Sequence, residues 1–262
     1  MAESLKILTL ADGFGDSQAC PPWYPEFHKW PALLKLMCKN ITVIDKSRYG
    51  AGNEYIITQL RHNYRSADIV LVQWAMPNRL DLMLSHSPDI HAAWHQIRTD
   101  DPIYANNVET INDTAWWLTS SSTQSWIQEY HERYITEHQH QARSIMWVEL
   151  AENLLVNQCH GFMLSSQSDY LQQAQVNAES WIWHRPWQGL HEWRYHSEYR
   201  DLDLGYIQPI PLIHFDFIQK FVKPRFALDW RSDHELKTVE SFLLKKYNQY
   251  RTYHDPNKKF NS

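Results

Sequence analysis

Apolar positions in the first third of the chain switch repeatedly between a strand-like and a helix-like pattern. "LKILTLAD", from Leu5, is a short, nearly continuous apolar run that stops at Asp12. Its length and branched residues predict a buried strand. "WPALLKLMCKN" then sets Trp30, Leu33, Leu34 and Met37 at helical spacing, with Pro31 suited to a helix start. "ITVID" (Ile41–Asp45) predicts a second strand, and "EYIITQLRHNY" an amphipathic helix burying Ile56, Ile57 and Leu60. "ADIVLVQW" (Ala67–Trp74) is continuously apolar and predicts a third, central strand. Alternating strands and helices with apolar strands predict an α/β fold: a parallel sheet covered on both faces, three layers in all.

The pattern weakens further along. Residues from about 80 to 158 predict an irregular or helical insertion, ending in a long helical stretch that Ser122 or Thr123 would cap. "HGFMLSS" (His160–Ser166) predicts a fourth strand. "WIWHRPWQGLHEWRYH" is aromatic and aperiodic. "QPIPLIHFDFIQKFVKP" reads as a turn into a helix ending at Pro224. A C-terminal helix follows over about 232–250, with Ser232 and Glu235 spaced as a capping box. No repeat or linker divides the chain, so residues 1–262 are expected to form one domain with insertions.

Composition narrows the function. A formal charge of −5 and a pI near 6.3 argue against a nucleic-acid partner. No apolar run approaches the ~18 residues of a membrane span, and the N-terminus lacks a secretory pattern, so no membrane partner and a cytoplasmic location are expected. Three unpatterned cysteines (Cys20, Cys38 and Cys159) fit reduced thiols. His91 and His95 are four apart but lack the glutamate of a zinc-protease helix; His138 and His140 do not share a face. Neither metal nor cofactor is expected. The oligomeric state is not legible here.

Ligands of a doubly wound sheet bind beyond the carboxyl ends of its strands. Three loops should converge there: Gly15-Asp16-Ser17, Tyr49-Gly50-Ala51-Gly52-Asn53, and Trp74-Ala75-Met76-Pro77-Asn78-Arg79. A serine nucleophile needs a base and oxyanion donors. Gly50 lets a backbone N–H approach a substrate oxygen closely, and Asn78 adds a side-chain donor. A turn serine that caps the next segment is the plainer reading of Ser17.

Over roughly its first eighty residues the chain resembles the SGNH, or GDSL-type, hydrolases. Gly15-Asp16-Ser17 matches the family's first motif, Trp30-Pro31-Ala32-Leu33-Leu34 the helix that often follows, and Gly50-Ala51-Gly52-Asn53 the second motif. The resemblance implies a flavodoxin-like α/β/α fold, Ser17 as nucleophile, and the Ser17 and Gly50 N–H groups as oxyanion donors. Two motifs depart from the pattern. The third motif's glycine is missing and Asn78 sits one place out of register. In the last motif Gln208-Pro209 fills the His-Pro slot and Gly205 the Asp slot, while His214 matches a second, usually non-catalytic histidine. Glutamine cannot act as a base. The chain also resembles Trp-rich proteins of marine cyanobacterial viruses with no assigned activity.

Two function classes follow. One is a serine esterase or deacetylase acting on an acylated glycan or small ester, with catalytic Ser17, Gly50, Asn78, Asp203 and His214, or another of the 15 histidines as base. Candidate substrate-binding residues are Asp16, Asn53, Trp74, Trp183 and Trp187. The other class is a non-catalytic glycan-binding or viral accessory protein that keeps the fold. Tryptophans with interleaved arginines suit stacking on rings, though a loop packed by its own aromatics is as good a reading.

Overall fold

The structure is a computed structural model. It describes residues 4–12, 28–48, 51–76, 136–166, 173–182, 189–203 and 209–250, and the backbone at 81–84, 108–111, 114–118 and 251–254.

Four strands pair in parallel: β1 (Leu5–Leu10), β2 (Ile41–Asp45), β3 (Ile69–Trp74) and, much later in the chain, Cys159–Leu164. The short strands β4 (Asp81–Leu84), β5 (Val108–Ile111) and β6 (Thr114–Leu118) intervene, so the fourth parallel strand is β7. The order is β2-β1-β3-β7. That is the flavodoxin-like order, with the chain reversing direction across the sheet between β1 and β3. β3 is buried along its whole length, as its unbroken apolar run requires.

Successive side chains of a strand face opposite sides, and the core divides accordingly. Ile7, Leu71 and Met163 face a layer of α1 (Trp30–Met37) and the C-terminal helices. Leu8, Val70, Val72 and Phe162 face α2 (Asn53–Asn63) and α3 (Glu137–Leu155). The C-terminal helices are α5 (Pro211–Phe217), continued by a π-helical turn over Ile218–Val222, and α6 (Asp233–His254). The short α4 (Leu190–Trp193) precedes them. On α6, Leu236, Leu243 and Tyr247 form the buried stripe. The chain is therefore an α/β protein of three layers.

The stretch read as irregular or helical holds β4, β5 and β6, which pair antiparallel in the order β4-β6-β5. Their apolar runs are too short for periodicity to declare them. α3 starts from Thr136, whose hydroxyl accepts the Gln139 N–H at 3.2 Å while the Gln139 side chain accepts the Thr136 N–H at 2.8 Å. Ser122 and Thr123 lie outside the described residues. Ser232 and Glu235 make the expected capping box at α6.

Two sequence-distant segments close one corner. Cys38 and Trp230 form an antiparallel bridge. Lys39 N–H donates to the Asp229 carbonyl at 2.7 Å, and Arg231 N–H to the Met37 carbonyl at 2.9 Å. Asn40 holds the turn in the left-handed region at φ 52° and donates to the Asp229 carboxylate at 2.7 Å. Among the described residues no helix is long and apolar enough to cross a membrane.

Candidate functional site at the carboxyl edge of the sheet

β1 runs out at Leu10, and Asp12 follows it fully buried. The chain returns at Lys29, also fully buried, just before α1. Trp30 opens α1 and donates its indole N–H to the Gln73 side chain on β3. Gln73 in turn donates to the Ser165 hydroxyl at 3.1 Å, one residue beyond β7. A buried chain of hydrogen bonds thus runs along the edge from α1 through β3 to β7, fixing where each loop departs.

Asn53 performs the same task on the other face. Its carboxamide oxygen accepts the Ala75 N–H at 2.8 Å. Its amide nitrogen donates to the Ala75 carbonyl at 3.2 Å and to Ser144 on α3 at 3.0 Å. The loop after β2 and the loop after β3 are therefore tied together by one side chain. Asn53 is expected from sequence to touch substrate; it is 3% exposed, and its hydrogen-bonding capacity goes to backbone and α3. Trp74, also expected at the substrate, is 1% exposed and packs edge-on against Phe162 at 5.6 Å in the α2–α3 core. At this residue the strand's alternation points into the packed layer.

α4 docks at the end of β7. His191 N–H donates to the Ser165 carbonyl at 2.9 Å, and the Glu192 carboxylate accepts from Ser166 Oγ at 2.6 Å and from Gly189 N–H at 2.8 Å. Gly189 is required by close approach. A Cβ there would meet backbone atoms of Ser166 and Leu164 at 2.4 and 2.6 Å.

His214 lies on α5 and is fully buried. Among the described residues neither ring nitrogen has a hydrogen-bond partner of good geometry. Burial, and then the nearby Lys29 charge, push the imidazole down to about 3, against a smaller opposing effect of the Pro209 carbonyl. It is neutral throughout the physiological range. Asp203, paired with His214 in the sequence reading, takes Arg194 as ion partner: its Oδ2 accepts from Arg194 Nε at 2.5 Å, with both side chains 5% exposed. Asp16, Ser17, Gly50, Asn78, Trp183, Trp187 and Gln208 lie outside the described residues.

Asp12, Lys29, Gln73 and Ser165 were not singled out by sequence reasoning. Gln73 carries the one usable signal, a polar residue inside the apolar run "IVLVQW". Among the described residues no group of three or more His, Cys, Asp or Glu is placed to hold a metal.

No family model matches the chain, and no curated protein matches it in sequence. Crystal structures of two catalytic mutants of an acetylxylan esterase from Geobacillus stearothermophilus are similar to it in outline. Each is 12% identical, covering 88% of this chain and 99% of that one, with TM-scores of 0.45 and 0.43.

Proposed function

We propose that the chain is a serine ester hydrolase acting on an acylated glycan or a small ester. In this reading Ser17 attacks the acyl carbonyl, the Gly50 N–H and Asn78 receive the oxyanion, and His214 accepts the hydroxyl proton. Trp183 and Trp187 stack on the glycan, and Asp16 shapes the nucleophile loop. Asp203 is bound to Arg194.

The observation that carries the reading is the Asn53 tether. It ties the first residue of α2, just after the loop that follows β2, to the first residue after β3, at the carboxyl edge of the sheet. Acyl transfer needs that convergence, because nucleophile and oxyanion donors must flank one carbonyl. The buried imidazole, with no hydrogen-bond partner of good geometry among the described residues, supports the base assignment, since such a group is costly to keep for packing alone.

Turnover of p-nitrophenyl acetate tests the reading. Ser17→Ala should lower kcat by about a hundredfold or more, and His214→Leu by a similar factor. Because His214 stays neutral down to about 3, the acid limb of kcat/KM should fall below pH 4 instead of near 6.5. Equal background rates in wild type and Ser17→Ala would remove hydrolysis.

One observation favours a second reading, a glycan-binding protein without turnover. Gln208 stands where the SGNH motif has its catalytic histidine, and an imidazole with a pKa of about 3 is a weak base. Binding of an acetylated oligosaccharide with no acetate release would support that class.

A further inference from the structure

Beyond β7 the chain builds a second concave feature. Among the described residues Arg194, Tyr195, Arg200 and Asp203 line a cleft of about 290 Å³. That is small for a ligand site and suits one ring better than a chain of them. Four observations mark it as a binding site.

The Arg194 guanidinium is 5% exposed, and only Nε is used by Asp203. Among the described residues its buried Nη2 has no hydrogen-bond partner. A buried guanidinium donor left unmade is costly, and the acceptor that best completes it is anionic. Arg200 lines the same cleft with its side chain 62% exposed, and its contact to the almost fully exposed Asp201 is loose at 3.7 Å. Its charge is available to an incoming anion. Tyr195 is 62% exposed, with the Arg194 guanidinium 5.8 Å from its ring centre and the His191 ring in an edge contact at 6.3 Å. It is a pre-set aromatic platform. Finally, the segment is braced: the Arg194–Asp203 pair spans a separation of nine positions, and the turns within it are held by Leu202 N–H to Tyr199 O and Asp203 N–H to Arg200 O, both at 3.0 Å.

We infer that this cleft binds a carboxylate-bearing sugar ring, a uronate, with the carboxylate between Arg194 and Arg200 and the apolar face of the ring on Tyr195. A planar carboxylate matches the guanidinium fork. The protein's net charge of −5 disfavours a polyanion at the same place. The sugar half of the inference rests on the glycan reading above; the anion half does not.

Direct binding tests it without turnover. Methyl glucuronide, methyl glucoside and sodium sulfate are titrated into the full chain by NMR, with wild type, Arg200→Gln and Tyr195→Ala. The expected result is saturable glucuronide binding, at least about fivefold weaker for the glucoside and for each variant. Both variants change exposed side chains, so each should fold. Glucuronide and glucoside binding alike, or unchanged affinity in Arg200→Gln, overturns the anion half. Sulfate binding as tightly as glucuronide, with Tyr195→Ala unaffected, overturns the sugar half. Hydrolysis can fail while this binding holds, and the reverse.

Discussion

His214 sets the sharpest residue-scale expectation. Folded, it stays neutral down to about 3; in the unfolded chain it protonates near 6.5. Between those values the unfolded state binds more protons, so stability is fully present above about 6.5 and is lost as pH falls towards 3. The slope is about 1.4 kcal/mol per pH unit for one proton. His214→Leu should therefore be neutral or stabilising at pH 7, because it removes two unsatisfied nitrogens, and it should flatten this acid slope. Urea midpoints at pH 7, 5.5 and 4.5 check both statements, and parallel trends for the two proteins would contradict them. Cys38 gives a second expectation. Burial, with the Asp229 charge, pushes its thiol up to about 12, so a thiol reagent at pH 8 should label exposed Cys159 and spare Cys38 in the native Cys20→Ser protein. Neither environment is legible in sequence. "PLIHFDF" shows a histidine on a helix, but which neighbours enclose it depends on α1 and on Lys29, nearly two hundred positions away.

At the scale of elements, the tether and the close glycine matter most. Asn53→Leu deletes three buried hydrogen bonds and strands the Ala75 N–H and carbonyl, at a cost of about 2–4 kcal/mol in chemical denaturation. Any Ser17-dependent turnover should fall further than stability alone explains, because the two loops lose their common anchor. Gly189→Ala forces backbone apart at α4 and should destabilise by about 2 kcal/mol or more, disturbing Arg194 and Tyr195 on the same segment. Elements that bury a long stripe or run, such as α1, α2, β3 and α6, were legible because pattern and packing agree. The cap at Thr136 was equally visible, as Thr-x-x-Gln, yet lay inside a longer helical stretch that drew attention to its start. β4, β5 and β6 were missed because four or five residues carry too little periodicity.

For the whole molecule, the sheet order was legible only as a class. The apolar strands implied a parallel sheet with two covering layers, and the order β2-β1-β3-β7 bears out the α/β reading. Which loops meet was inferable from that topology; what each side chain does there was not, because Asn53 and Trp74 were placed at the substrate by motif and by loop position. The feature with the widest reach is the corner where residues 229–231 pair with residues 37–40. Its side-chain contacts, Asn40 to Asp229 and Arg231 Nε to the Leu36 carbonyl, span 189 and 195 positions. During synthesis the first βαβ unit leaves the ribosome long before the segment that seals it. Loop closure over such separations is slow. The newborn N-terminal half must therefore wait, with one edge of α1 unsealed, and a nascent chain stalled before residue 229 should remain protease-sensitive where the full-length chain is resistant.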